Sequence, residues 1–289
     1  MTSRPAQLYR LGLTLAAAFA LAACSSEAPA PTSPATPSAP ASTPAAPTAT
    51  PAATAPAAVE TPARTPGPIV PPSGPAPVAG TDYAVIAGGS PFKPGSDKIE
   101  VVEVFGYTCP HCATFEPLVS AWAAKLPADV EFVPLAAPFG GFWEPYAKAF
   151  YAAQAMGALE QSHDAMFKAI HIDRSLPVQP LPTDEQLGEF YAQFGVDPKQ
   201  FASTMSSFAV NARMNQARQF MQRSGANSTP VLIIDGKYRV TGKSHEDNLR
   251  IAEHLIAMQR AAKGGAAPAP AESAQSAESA EPTDDAGAD

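Results

Sequence analysis

Four residues near the middle of the chain, Cys109-Pro110-His111-Cys112, constrain what it can fold into more than any other stretch. They stand between an apolar, β-branched run, Ile99-Glu100-Val101-Val102-Glu103-Val104-Phe105, and a segment of helical period from Pro110 to Lys125. In that segment Phe115, Leu118, Val119 and Trp122 are expected to share one apolar stripe. A Cys-x-x-Cys pair at a strand-to-helix junction reads as a redox site. Thiol–disulfide exchange needs a thiolate that both attacks and leaves easily. At the N-terminus of the helix that Pro110 opens, Cys109 meets unpaired backbone N–H groups and the positive end of the helix dipole. Pro110 loses nothing at the first helical position, since its missing N–H would have had no helical acceptor. His111 can add a donor or a positive charge. These effects lower the Cys109 pKa and stabilise the reduced state, which makes the disulfide a strong oxidant. Cys112, one turn further in, is then the thiol that resolves mixed disulfides.

Cysteine counting narrows the rivals. The only other cysteine is Cys24, so a disulfide-stapled scaffold is excluded. A structural zinc site wants four ligands; no second cysteine pair exists, and the histidines are not spaced to complete one. No metal and no cofactor are expected. An inert structural disulfide closing so short a loop would contribute little stability. His163, His171 and His254 lie on helical segments and read as surface or core packing.

Much of the remaining length cannot fold. Arg4 and Arg10 precede an apolar run from Leu11 to Ala23, the pattern of a secretory signal and too short for a comfortable transmembrane helix. Its end, Leu21-Ala22-Ala23-Cys24, resembles the lipobox of bacterial lipoproteins, which implies a signal peptide over 1–23 and lipidation of Cys24. Ser25 after that cysteine, by resemblance to the enterobacterial sorting rule, favours the outer membrane over the inner. Residues 24–80 are Ala, Pro, Thr and Ser with almost no aliphatic or aromatic bulk, and cannot repay their ordering entropy. They are expected to form a tether that reaches on the order of 170 Å at full polyproline extension. Residues 264–289 form an acidic tail that carries much of the net charge of −8. Without it the core is only mildly acidic, and nothing points to nucleic acid or to an electrostatic membrane patch.

The folded part is expected over 81–263. Tyr83-Ala84-Val85-Ile86 reads as a short edge strand, and Ile99–Phe105 as a buried one. Val130-Glu131-Phe132-Val133-Pro134-Leu135 completes a strand–helix–strand unit. Helical period then holds across a block of about 143–225, with cap signals at Thr183-Asp184-Glu185-Gln186 and Asp197-Pro198. Val231–Ile234 and Lys237–Val240 flank Asp235-Gly236, a hairpin signal, and Ser244 with Asp247 opens a last amphipathic helix through Ile251, Leu255 and Met258. The stretch Phe139-Gly140-Gly141-Phe142-Trp143 could equally supply apolar surface beside the site or cap the core.

This order, with Cys109-Pro110-His111-Cys112, Thr229-Pro230 and a glutamate (Glu103) six positions before the first cysteine, resembles the DsbA family from about Thr81 to Arg260. The resemblance implies an α/β fold, a thioredoxin-like sheet with an inserted α-helical domain. It implies a monomeric thiol:disulfide oxidoreductase of the periplasm that oxidises reduced exported proteins and is reoxidised by a DsbB-like membrane quinone reductase. It further implies that the Thr229–Pro230 bond is cis beside the disulfide, that the backbone of Thr229 pairs with an incoming peptide, and that Glu103 assists proton transfer. One departure is plain: the partner lysine familiar from the second strand is missing, since Glu131 to Pro138 contains no base. Thr before Pro230 resembles the reductase and isomerase branch, although no dimerisation domain of the isomerase kind is present. A non-enzymatic rival is a tethered peptide-binding module of chaperone type.

Overall fold

The computed structural model describes residues 65–264. The leader, Cys24, the tether up to residue 64 and the acidic tail lie outside the described residues.

The fold grows from β2 (Ile99–Phe105), in which every residue is buried. It pairs in parallel with β3 (Val130–Ala136), Val102 opposite Val133, and antiparallel with β4 (Val231–Ile234), Val102 opposite Ile233. β5 (Tyr238–Val240) and β1 (Tyr83–Val85) extend the sheet to the order β1-β5-β4-β2-β3. A strand buried on both faces needs apolar residues at both parities, and β2 supplies them. Ile99 and Val101 face one core with Phe115 and Val119 of α1 (Pro110–Ala123) and Ile251 and Leu255 of α7 (His245–Ala262). Val102 and Val104 face the other, built with the helical block.

That block comprises α2 (Glu144–Ala155), α3 (Leu159–His171), α4 (Asp184–Ala192), α5 (Pro198–Met205) and α6 (Phe208–Ser224), between β3 and β4. Its starts are written in the sequence. Thr183 and Gln186 form a reciprocal capping box, Asp197 Oδ1 accepts from Gln200 N–H at 2.8 Å, and Ser207 Oγ accepts from Val210 N–H at 3.2 Å. The β4–β5 turn has both central residues at positive φ, 51° at Asp235 and 65° at Gly236. This is the hairpin geometry that Asp-Gly favours. A Cβ on Gly236 would also stand 2.0 Å from Ser90 O. The buried Asp235 carboxylate is paired with Lys237 and Lys263 at 3.1 and 3.0 Å.

Two expectations change. In α1 the buried stripe is Cys112, Phe115, Glu116 and Val119, whereas Leu118 is exposed. Period alone fits either set, and the acid is inside because α3 offers it a partner. Residues 65–80, read from composition as the end of the tether, carry contacts of the folded part. Gly67 N–H donates to Leu126 O at 3.2 Å, His254 Nε2 donates to Ser73 O at 3.2 Å, and Arg250 donates to Pro75 O. A proline-rich strand lacks donors but keeps its carbonyls, and side chains of α7 use them.

Candidate active site

Cys109 is the N-cap of α1 at φ −85°, ψ 117°, and Pro110 takes the first helical position. The Cys109 thiol donates to Thr229 O at 3.6 Å across the start of β4, and the Thr229–Pro230 bond is cis. Both thiols are free; Cys109 keeps 7% of its surface and Cys112 only 1%.

The helix start splits the two thiols electrostatically. A hydrogen bond from Cys112 is the largest influence on Cys109 and outweighs burial; the Thr229 side chain and the backbone N–H groups of Cys112 and His111 add to it. The Cys109 pKa falls to about 5. Burial drives Cys112 strongly the other way, reinforced by its donation to Cys109, by the charge there and by Glu103. The imidazole of His111 is exposed, so its share in this geometry is carried by the backbone N–H.

Glu103 lies opposite Pro134 on one side and Leu232 on the other, 1% exposed, with both carboxyl oxygens unpartnered. Burial, then the nearby Glu116 and Cys109, hold its pKa well above the usual carboxylate range.

The fold brings four more residues here: Glu116 and Tyr107, to which the sequence assigned no role, and His163 and His171, expected only to pack. Burial would raise Glu116, yet His163 and Ser120 pull it below its ordinary value. His163 Nε2 lies 3.3 Å from Glu116 Oε2, and its Nδ1 lies 2.7 Å from the Tyr107 hydroxyl. His171 Nε2 donates to Tyr107 O at 2.6 Å. Two histidines of α3 therefore grip the loop two residues before Cys109. An acid four positions after Cys112 was a visible signal for Glu116; nothing in the sequence singles out His163, His171 or Tyr107. His254, by contrast, lies on α7 and donates to Ser73 O.

The aromatic stretch covers the core through Trp143 and leaves two rings partly exposed. Trp143 lies so tightly on Gly106 that a Cβ there would be 2.1 Å from the indole. Phe139 and Phe142 pack on Trp143 at 5.2 and 5.6 Å while staying about 40% exposed. Gly106→Ala is expected to cost about 1–3 kcal/mol through overpacking, read as a lowered midpoint in thermal unfolding. Beside Pro110, a recess of about 610 Å³ between α1 and α3 is lined by Ala113, Pro117, Phe167 and Ile172. Among the described residues no group of three or more His, Cys, Asp or Glu is arranged to hold a metal ion, and no helix is long and apolar enough to cross a membrane.

A sheet of this order with a helix opened by Cys-Pro-His-Cys, facing a cis proline, defines the thioredoxin class of redox proteins. A family model described as thioredoxin matches residues 96–253. The thiol:disulfide interchange protein DsbA of Pseudomonas aeruginosa is 39% identical over 188 residues, covering 64% of this chain and 86% of its own length. That of Azotobacter vinelandii is 40% identical over 169 residues, 57% of this chain and 77% of the relative. The crystal structure of the oxidoreductase DsbA from Xylella fastidiosa superposes with a TM-score of 0.63 at 44% identity, covering 64% of this chain and 98% of that one. The chain belongs to the DsbA family and is a thiol:disulfide oxidoreductase with a helical insertion in its thioredoxin fold.

Proposed function

We propose that the enzyme works as an oxidase, passing a disulfide held by Cys109 and Cys112 to exported proteins. The observation that carries this reading is the opposite displacement of the two thiols, Cys109 down to about 5 and Cys112 upward. Stabilising the Cys109 thiolate stabilises the reduced pair and makes the disulfide the more oxidising.

In the forward reaction a substrate thiolate attacks Cys109 Sγ. The Cys109–Cys112 bond breaks, and its electron pair leaves with Cys112 Sγ, which takes a proton that Glu103 supplies. A second substrate thiolate then attacks the substrate sulfur bonded to Cys109, and Cys109 departs as thiolate. The substrate has lost two electrons and the cysteine pair has gained them. Pro110 and the N–H groups of His111 and Cys112 tune the thiolate, and Thr229 and Pro230 offer the backbone edge on which an extended substrate pairs. The apolar recess beside Pro110 suits side chains next to the reacting cysteine.

The setting follows from the sequence features outside the described residues: a signal over 1–23, lipidation at Cys24 and a tether leading to the folded part. They support a periplasmic monomer held to a membrane, the outer one in preference, only by lipid. A DsbB-like membrane quinone reductase would restore the disulfide.

Equilibration of the full chain against glutathione tests the direction. An oxidase should show a potential far above the roughly −270 mV of thioredoxin. A value near that of thioredoxin would select the reductase or isomerase reading, which Thr229 before Pro230 favours.

A further inference from the structure

Two carboxyls are buried beside the cysteine pair, and they are treated differently. Glu116 is 5% exposed and has partners, Ser120 Oγ on its own helix and His163 Nε2 on α3; Glu103 is 1% exposed and has none. Around His163, Glu116 comes from α1, Tyr107 from the loop after β2, and Glu160 and Asp164 from its own helix; Phe105 and Phe167 pack on the ring, and an open recess leaves it partly exposed. With Glu116 ionised and the imidazole neutral, one hydrogen-bond pattern satisfies both ring contacts. Nε2–H donates to the carboxylate, and Nδ1 accepts from the Tyr107 hydroxyl. When protonated, the ring donates at both nitrogens. In either state an ionised Glu116 meets a donor at Oε2, and Ser120 Oγ donates to its Oε1, so both oxygens of the carboxylate form are satisfied.

We propose that His163 is a positioning residue for the exchange reaction: by pairing with Glu116 it keeps that carboxyl ionised, and the charge so fixed leaves the neighbouring Glu103 carrying the proton that Cys112 takes when its bond to Cys109 breaks. Burial holds Glu103 above the usual carboxylate range and the charge of Glu116 adds to that, so fixing the charge on Glu116 favours a neutral Glu103. This division of labour supplies an acid where the departing sulfur needs one, and Glu103 regains its proton from solvent afterwards. The helical block thus takes part in the chemistry through a side chain that touches neither sulfur.

The inference rests on the assignment of Cys109 and Cys112 as the exchanging pair, and the test separates the two. In the full-length chain, His163→Leu removes the donor to Glu116 and His163→Lys supplies one again. Two quantities are followed: the thiolate absorbance of Cys109 against pH, and the pH profile of the rate at which a reduced cysteine peptide reduces the oxidised protein, corrected for peptide ionisation. Without His163, burial returns the proton to Glu116, the push on Glu103 disappears, and the ionisation seen in the rate profile should move down by about one pH unit. His163→Lys should bring most of it back, and the Cys109 titration should stay in place throughout. A rate profile that stays put or moves up in His163→Leu, or one displaced equally in His163→Lys, overturns the role of His163. A wild-type chain in which Cys109 shows no depressed titration and no exchange overturns the site assignment instead.

Discussion

Cys109→Ala is expected to abolish disulfide exchange, whereas Cys112→Ala should attack disulfides and remain attached to them. A thiol that titrates at about 5 rather than its ordinary 9.0 is overwhelmingly thiolate at pH 7. The population gain is about a hundredfold. That gain does not make Cys109 a fast attacker, because nucleophilicity falls with basicity; four pH units at a Brønsted slope of about 0.45 remove roughly sixtyfold. The two nearly cancel. What survives is leaving-group ability, which improves with low pKa and has no compensating loss. Cys109 is thus built to be displaced, the property that an oxidase needs when the second substrate thiolate arrives. Mass spectrometry of Cys112→Ala after exposure to substrate disulfides should find one partner per chain bonded through Cys109. A Cys109→Ala chain that keeps its cellular function would select the tethered peptide-binding reading instead.

The second large effect concerns Glu103. A buried carboxyl with both oxygens unpartnered costs about 1–3 kcal/mol for the missing hydrogen bonds, so Glu103→Leu should stabilise the fold by about that amount while impairing proton transfer. The pH dependence adds a sharper signature. The folded pKa is raised above the ordinary 4.5, so the folded state binds a proton that the unfolded state has released. Stability from this group is fully present below the unfolded value. It is lost as pH rises from there through the folded value, at up to about 1.4 kcal/mol per pH unit. Urea unfolding of wild type and Glu103→Gln between pH 4 and 8 should therefore show a gap that widens in favour of the variant toward high pH. A constant gap would mean that Glu103 does not titrate in the folded chain.

These residues also show what the chain reveals by inspection. The edge strand at Tyr83–Val85, the Asp235-Gly236 hairpin and the helix starts at Thr183 and Asp197 follow from local rules: period, turn chemistry and capping act within a few residues. The Cys109–Cys112 pair was legible for the same reason. The burial of Glu116 and the exposure of Leu118 were not, because choosing between two helical stripes depends on what stands opposite, and His163 is 47 residues away in sequence. The grip of His163 and His171 on Tyr107 has a similar origin: nothing near either histidine foretells a neighbour supplied by the loop after β2. Residues 65–80 were missed for another reason. Composition measures how much apolar surface a segment can bury, not whether its carbonyls find donors, and those donors sit on α7.

That last segment has a mechanical consequence. Gly67 is bound beside Leu126 and Pro127, just past the C-terminal end of α1, while Cys109 caps the other end of the same helix. Fourteen residues of helix separate the two, a span of about 21 Å. A pull on the chain from its N-terminal side is therefore taken up by α7 and the far end of α1. Among the described residues, the bonds of Gly67, Ser73 and Pro75 run to that far side and none reaches the loop that carries the reactive sulfur.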